Sequence, residues 1–170
     1  LFGTLSAREN VLVAAEVQSG WSRKRSGRSP RAFADELIER TGLAEVADVP
    51  ADVLPTGMAR LVELARALAS RPRVLLLDEP SSGLSVTESR ALGDLLVELA
   101  GEGIAVLLVE HDMDLVMRVC AHLHVLDFGE AIAAGTPEEV RRDPRVQQAY
   151  LGAAPIDEEA IVAAALEEPV

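Results

Sequence analysis

The stretch that decides the fold reads Arg73-Val74-Leu75-Leu76-Leu77-Asp78-Glu79-Pro80. Its apolar run ends on two adjacent carboxylates, and a proline follows them. A short run that is apolar at every position is typical of a strand buried on both faces of a parallel sheet. We therefore expect a strand over residues 74–78 inside such a sheet, with helices covering both faces.

Helical and strand-like segments alternate along the chain after this strand. Alternation of this kind predicts an α/β fold whose sheet is mainly parallel and flanked by helices. The expected order is a helix over 87–100, a strand over 104–110, a helix over 113–121, and strands over 122–127 and 131–133 that a turn at Phe128-Gly129 separates.

The residues before the strand are predicted to be helical. Ser6 and Glu9 form a capping box that opens a first helix, and apolar spacing predicts a second helix ending at Gly42 and a third over 58–70. Thr136 and Glu139 form another capping box. The predicted organisation is a helical subdomain over 1–71, an α/β core over 72–135, a helical appendix over 136–152 and an acidic tail over 153–170.

Composition limits the class of protein. The chain has 170 residues, of which 49% are hydrophobic, so it can bury the core of one ordinary soluble domain. A net charge of -12 argues against nucleic acid as a partner, because phosphate backbones attract clustered Lys and Arg. No apolar stretch approaches the roughly 20 residues that span a bilayer, so we expect no direct membrane insertion. The single cysteine, Cys120, fits a reducing compartment, and we expect a cytoplasmic location.

Polar side chains follow two of the predicted strands. In parallel sheets, ligands bind beyond the carboxyl ends of the strands. Asp78 is placed to hold Mg²⁺, because this hard cation prefers carboxylate oxygen. Glu79 is placed to orient or deprotonate an attacking water, and His111, at the end of the neighbouring strand, to donate to a transferred phosphoryl group.

These residues resemble the motifs of the ATP-binding cassette (ABC) ATPases. Residues 74–80 are similar to the Walker B strand with its catalytic glutamate, and residues 109–112 to the segment of the switch histidine. The similarity runs through Gly152. Residues 110–117, 126–129 and 143–152 further resemble the ATPase subunits of branched-chain amino acid importers. Two more segments resemble motifs of this family. The first resembles the signature loop and consists of Leu54, Pro55, Thr56, Gly57 and Met58. The second resembles the D-loop and consists of Ser82, Gly83, Leu84 and Ser85.

The resemblance implies a function for the complete protein. Glu79 and His111 would be catalytic, and Asp78 would bind Mg²⁺. The D-loop and the signature loop would help bind ATP. The signature loop would do so in the ATP site of a second ABC ATPase subunit. ATP-driven closure of the dimer would power uptake of branched-chain amino acids or related small solutes. The partners would be integral-membrane permease subunits, which would hold the protein on the inner face of the plasma membrane.

The chain departs from the family pattern at several points. The family's signature usually reads Leu-Ser-Gly-Gly-Gln, of which only Leu54 and Gly57 are kept, and Ser85 stands where the D-loop usually has Asp. No Gly-x-x-x-x-Gly-Lys-[Ser/Thr] loop is present, and the only lysine is Lys24. The chain starts with Leu1. We therefore expect a fragment of an ABC nucleotide-binding domain that lacks the P-loop strand and, alone, has no specific ATPase activity.

Other interpretations stay open from the sequence. The chain could belong to an ABC ATPase outside transport, or it could be a non-catalytic module that lends its signature loop to another subunit. Cys120, His122 and His124 lie close together in sequence, but their spacing and the lack of a fourth ligand make a zinc site the weaker interpretation.

Overall fold

The computed structural model describes residues 1–21 and 29–151, which form parts of two compact units, Leu1–Val119 and Cys120–Val170. We refer to them as the first and the second unit. The boundary falls inside the predicted α/β core, and the fourfold division proposed above stays a prediction. The predicted acidic tail, 153–170, lies outside the described residues. Within the described ranges, no helix is both long and apolar enough to cross a membrane.

Three helices and two 3₁₀ turns begin the first unit. The helices are α1 (Ala7–Trp21), α2 (Pro30–Arg40) and α3 (Thr56–Ala69), and the turns are Ala44–Val46 and Ala51–Val53. The predicted capping box is confirmed, because Ser6 Oγ accepts from the Glu9 amide and Glu9 Oε2 accepts from the Ser6 amide. The third helix begins at Thr56, two residues before its predicted start.

The helices pack their apolar faces into one core. Leu37 and Ile38 of α2 and Leu61 and Val62 of α3 belong to this buried cluster. Asn10 of α1 is fully buried, and its side chain is hydrogen-bonded to the backbone of the N-terminal segment. A buried amide is tolerated only with such partners.

The parallel sheet of the first unit has two strands. The strand β1 (Val74–Asp78) pairs with β2 (Ala105–Val109), with Leu76 opposite Leu107. The helices α4 (Val86–Gly101) and α5 (Met113–Val119) complete this unit. Leu75 is buried in the core together with leucines of α4.

Within the residues that the structure describes, one face of this strand pair is exposed. Leu76 is 70% exposed and Leu107 is 60% exposed, and Val74 and Val109 on the same face are also exposed. Side chains of a strand alternate between the two faces, so only every second residue of β1 and β2 reaches the core. A strand sequence that is apolar at every position is compatible with a sheet buried on one face and with a sheet buried on both faces.

The second unit begins with an antiparallel hairpin. The strands are β3 (Leu123–Asp127) and β4 (Glu130–Gly135), with a bulge between Val125 and Leu126. Phe128 and Gly129 join them with consecutive positive φ angles of 43° and 84°, which match the twist of a two-residue hairpin turn. The helix before it ends at Val119 rather than the predicted residue 121, and β4 is longer than the predicted 131–133.

A helical segment follows the hairpin. It consists of α6 (Pro137–Arg142), the single turn α7 (Pro144–Val146) and a wider turn over Gln147–Leu151. The capping box of Thr136 and Glu139 is confirmed, and its hydrogen bonds lower the pKa of Glu139. Val140 and Val146 are the buried anchors of this segment.

Candidate functional site

The carboxyl ends of β1 and β2 bring two predicted catalytic residues together. Because the strands are parallel, both end at the same edge, where the Glu79 amide donates to the Val109 carbonyl at 2.9 Å. His111 Nδ1 lies 3.5 Å from Glu79 Oε1. Both side chains are accessible, at 51% for Glu79 and 70% for His111. An accessible carboxylate can accept a proton from water, and the imidazole beside it can donate to an anion. This pair of roles suits hydrolysis of a phosphoryl group.

Glu79 has an uncommon backbone conformation. Its φ angle is +45°, in the left-handed region, which costs a residue with a Cβ atom about 1–2 kcal/mol. The chain turns sharply here, since the Ser82 amide donates to the Glu79 carbonyl at 3.2 Å. Strained residues of this kind concentrate at functional sites, because the surrounding structure must hold them in place.

Asp78 ends β1 and is exposed. The described ranges contain no group of three or more His, Cys, Asp or Glu side chains that could hold a metal ion alone. Mg²⁺ does not need such a cage, because in nucleotide sites it is bound by one or two carboxylates, phosphate oxygens and water. A single accessible carboxylate at a strand end therefore fits Mg²⁺ that arrives with a nucleotide.

The predicted signature loop runs into the N-terminus of α3. Pro55 and Thr56 are exposed, whereas Gly57 is buried and Leu54 and Met58 pack partly against the core. The helix starts at Thr56, and no side chain caps its first turn. An uncapped helix start directs backbone N–H groups and the positive end of the helix dipole outward, as anion binding requires.

The predicted D-loop touches the start of α3 within the same chain. Gly83 has a φ angle of +82°, and a Cβ atom on Gly57 would lie only 2.6 Å from the Gly83 carbonyl oxygen. Backbone therefore meets backbone at two glycines. Ser82 and Leu84 are partly buried on either side of this contact.

Ser85, the last predicted D-loop residue, begins the next helix. Its side chain caps α4 in a capping box with Glu88. Hydrogen bonds from the Ser85 backbone and side chain lower the pKa of Glu88. The capping role anchors the end of the loop to α4.

The chain is similar to known proteins in sequence and in structure. A family model described as "ABC transporter" matches residues 1–82, and one described as "Branched-chain amino acid ATP-binding cassette transporter" matches residues 132–155. BraF, a high-affinity branched-chain amino acid transport ATP-binding protein of Pseudomonas aeruginosa, is 39% identical over 165 residues, which cover 91% of the chain and 65% of BraF. LptB, a lipopolysaccharide export system ATP-binding protein of Haemophilus influenzae, is 33% identical over 152 residues. The match covers 89% of the chain and 61% of LptB.

A solved structure shares the fold. MJ1267, an ATP-binding cassette of an ABC transporter in its ADP conformation, superposes with a TM-score of 0.67 at 28% identity, over 89% of the chain and 64% of MJ1267. The chain belongs to the ABC family. It spans a little under two thirds of the length of the relatives it matches. The predicted α/β class and ABC-type fold are confirmed.

Within this ABC chain, two residues of the site were not assigned a role from sequence. Glu110 has a fully buried side chain that accepts hydrogen bonds from the Ser81 and His111 amides. Asp112 accepts from the Leu115 amide at 3.1 Å and thereby caps the start of α5. Their position next to the histidine was visible in the sequence, but which carboxylate turns inward depends on a turn 29 residues away.

The suspected metal-binding residues of the second unit have another arrangement. The rings of His122 and His124 lie edge to face, with centroids 5.1 Å apart. Burial raises the pKa of the Cys120 thiol, which disfavours the thiolate that binds metals. This geometry indicates two exposed rings in contact with each other, His122 just before β3 and His124 within it.

Proposed function

We propose that the protein to which this chain belongs is the ATP-hydrolysing subunit of an ABC importer for branched-chain amino acids or related small solutes. The observation that carries the proposal is the pairing of Glu79 and His111, 3.5 Å apart at the ends of two parallel strands. Membership of the ABC family supports the roles of these residues, and the similarity to BraF and the match at residues 132–155 support the solute class.

Each site residue has a defined part in this mechanism. Glu79 orients and deprotonates the water that attacks the γ-phosphate, and His111 donates to the phosphate oxygens where charge develops. Asp78 holds Mg²⁺, which neutralises phosphate charge when bound. The accessible start of α3 completes the ATP site of a second subunit, and the D-loop contact at Gly57 and Gly83 links that surface to Glu79.

The proposed partners follow from the same role. A second ABC ATPase subunit would provide the ATP that the signature loop contacts, and closure of the two subunits on ATP would drive the transport step. Integral-membrane permease subunits would receive this motion and hold the protein peripherally on the inner face of the plasma membrane. LptB, which acts in lipopolysaccharide export, is similar at lower identity, so a lipid exporter is the second candidate.

A Glu79→Gln substitution in the complete transporter tests the catalytic role. We expect kcat for ATP hydrolysis to fall by at least about 100-fold, because general bases contribute about 10²–10⁴ to the rate. ATP binding should be kept, because Gln preserves the shape of the side chain. The control is Glu98→Gln on α4, whose side chain is 59% exposed and pairs with Arg40. Normal turnover of Glu79→Gln would refute the assignment.

The solute class has its own measurement. Uptake by proteoliposomes should be ATP-dependent for leucine, isoleucine or valine and should be lost in Glu79→Gln. ATP-dependent extraction of lipopolysaccharide, without amino acid uptake, would favour the exporter instead.

A further inference from the structure

Glu110 carries a buried carboxyl group that the proposed mechanism does not use. It follows β2 directly and precedes His111. Its side chain is fully buried, whereas that of His111 is 70% exposed. Burial of a carboxyl group is costly unless its oxygens are hydrogen-bonded. The partners of these oxygens therefore indicate what the residue does.

Each oxygen of Glu110 accepts a hydrogen bond from a different part of the backbone. Oε1 accepts from the Ser81 amide at 2.8 Å, and Oε2 accepts from the His111 amide at 3.1 Å. Ser81 lies in the turn after β1, and its carbonyl accepts from the Leu84 amide at 3.0 Å. The carboxyl group of Glu110 thus joins the backbone of Ser81, just before the D-loop, to the backbone of His111.

The catalytic side chains lie on either side of this connection. Glu79 comes two residues before Ser81, and its side chain is about half exposed, as 51% of it reaches solvent. His111 Nδ1 is 3.5 Å from Glu79 Oε1 and 3.8 Å from Glu110 Oε2. Side chains this exposed are not fixed by packing. Their relative position depends on how firmly the two backbone segments are held together.

We propose that Glu110 is a positioning residue for ATP hydrolysis, which holds the turn after Glu79 and the backbone of His111 at one fixed separation. This proposal rests on the proposed function of Glu79 and His111. Glu110 acts through these two residues and does not contact the nucleotide. A small displacement of a catalytic group lowers the rate of the chemical step, whereas ground-state binding of ATP depends on it much less. The loss should therefore appear in kcat.

The test compares Glu110→Gln with Glu98→Gln in the complete transporter. Gln keeps the shape of Glu110 but replaces one acceptor oxygen with an NH₂ group, which would face a backbone N–H donor. We expect kcat to fall about 10- to 100-fold, since a displacement of about 1 Å can cost that much, while KM for ATP changes less than about threefold. Glu110→Asp keeps the carboxyl group but is one methylene shorter. Its kcat should therefore lie between that of Glu110→Gln and that of Glu98→Gln.

Hydrogen exchange provides a readout that a general loss of stability would not reproduce. In Glu110→Gln, amide exchange of peptides covering residues 79–85 and of those covering His111 should become faster by about tenfold, the factor for a free-energy change of 1.4 kcal/mol. Exchange elsewhere and the unfolding temperature of the complex should match Glu98→Gln. Faster exchange throughout, with a lower unfolding temperature in both Glu110 variants, would mean that the residue only stabilises the fold and would overturn the proposal.

The outcomes separate this proposal from the proposed function. If Glu79→Gln abolishes turnover but Glu110→Gln equals Glu98→Gln in kcat and local exchange, the positioning role is wrong and the proposed function stands. If Glu79→Gln hydrolyses ATP normally, the proposed function fails, and the role of Glu110 fails with it.

Discussion

At the scale of single residues, function and stability conflict at Glu79. Its φ angle of +45° places a side chain with a Cβ atom in a region that glycine adopts more easily. The hydrogen bond from its amide to Val109 and the one that its carbonyl accepts from Ser82 hold it there. The strain is consistent with a residue kept for chemistry, because selection for stability alone would favour glycine at this position.

Comparison of Glu79→Gly with Glu79→Ala measures this strain. Both variants lack the carboxylate and should be inactive in hydrolysis. Glycine should be more stable than alanine by about 1 kcal/mol, because alanine keeps the Cβ atom that is unfavourable at positive φ. Urea unfolding of the two variants provides the difference in the free energy of unfolding.

The order of stability decides the result. At positions with ordinary helical backbone, alanine is more stable than glycine by about 0.5–1 kcal/mol. Alanine as the more stable variant would therefore show that residue 79 does not occupy the left-handed region.

At the scale of secondary-structure elements, local signals were predictable and non-local ones were not. The capping boxes at Ser6 and Thr136 depend on residues three positions apart, and both were predicted from sequence. The strand over 74–78 was also predicted with its observed bounds. The burial of Glu110 and the contact between Gly57 and Gly83 depend on segments that meet only in the fold, and neither has a local signature.

Alanine substitutions at Gly57 and Gly83 test the contact between the start of α3 and the D-loop. Gly57→Ala would place a Cβ atom 2.6 Å from the Gly83 carbonyl oxygen, and the α3 backbone or the loop would have to move. We expect a destabilisation of about 1–3 kcal/mol, typical of overpacking. Gly83→Ala should destabilise as well, because its φ angle is +82° and its Cβ atom would lie 3.2 Å from the Gly57 amide.

Gly101 offers a matched control for these two glycines. It ends α4, and a Cβ atom there would meet nothing within 4 Å. Gly101→Ala should be neutral or stabilise by up to about 1 kcal/mol, since alanine favours helix. If chemical denaturation ranks all three variants equally, the close backbone contact is not present in the protein.

At the scale of the whole molecule, the chain has a net charge of -12, and within the described residues one face of the β1–β2 sheet is apolar and exposed. Val74, Leu76, Leu107 and Val109 share that face and are all more than half exposed. Charge of one sign keeps molecules apart, whereas an apolar patch favours association. The sequence could not reveal this face, because the residues that point inward, such as Leu75, are as apolar as those that point outward.

Two adjacent leucines distinguish the faces of this sheet. Leu75 is 4% exposed and Leu76 is 70% exposed, so the same change to Gln should have opposite consequences. Leu75→Gln buries an amide without partners and loses apolar packing, and we expect a loss of at least about 2–3 kcal/mol in the free energy of unfolding. Leu76→Gln should change it by less than about 0.5 kcal/mol, as is usual for surface positions, and should reduce association seen by sedimentation. Equal destabilisation by both changes would mean that the outer face is covered in solution, and the concentration dependence of unfolding would then show whether a second copy covers it.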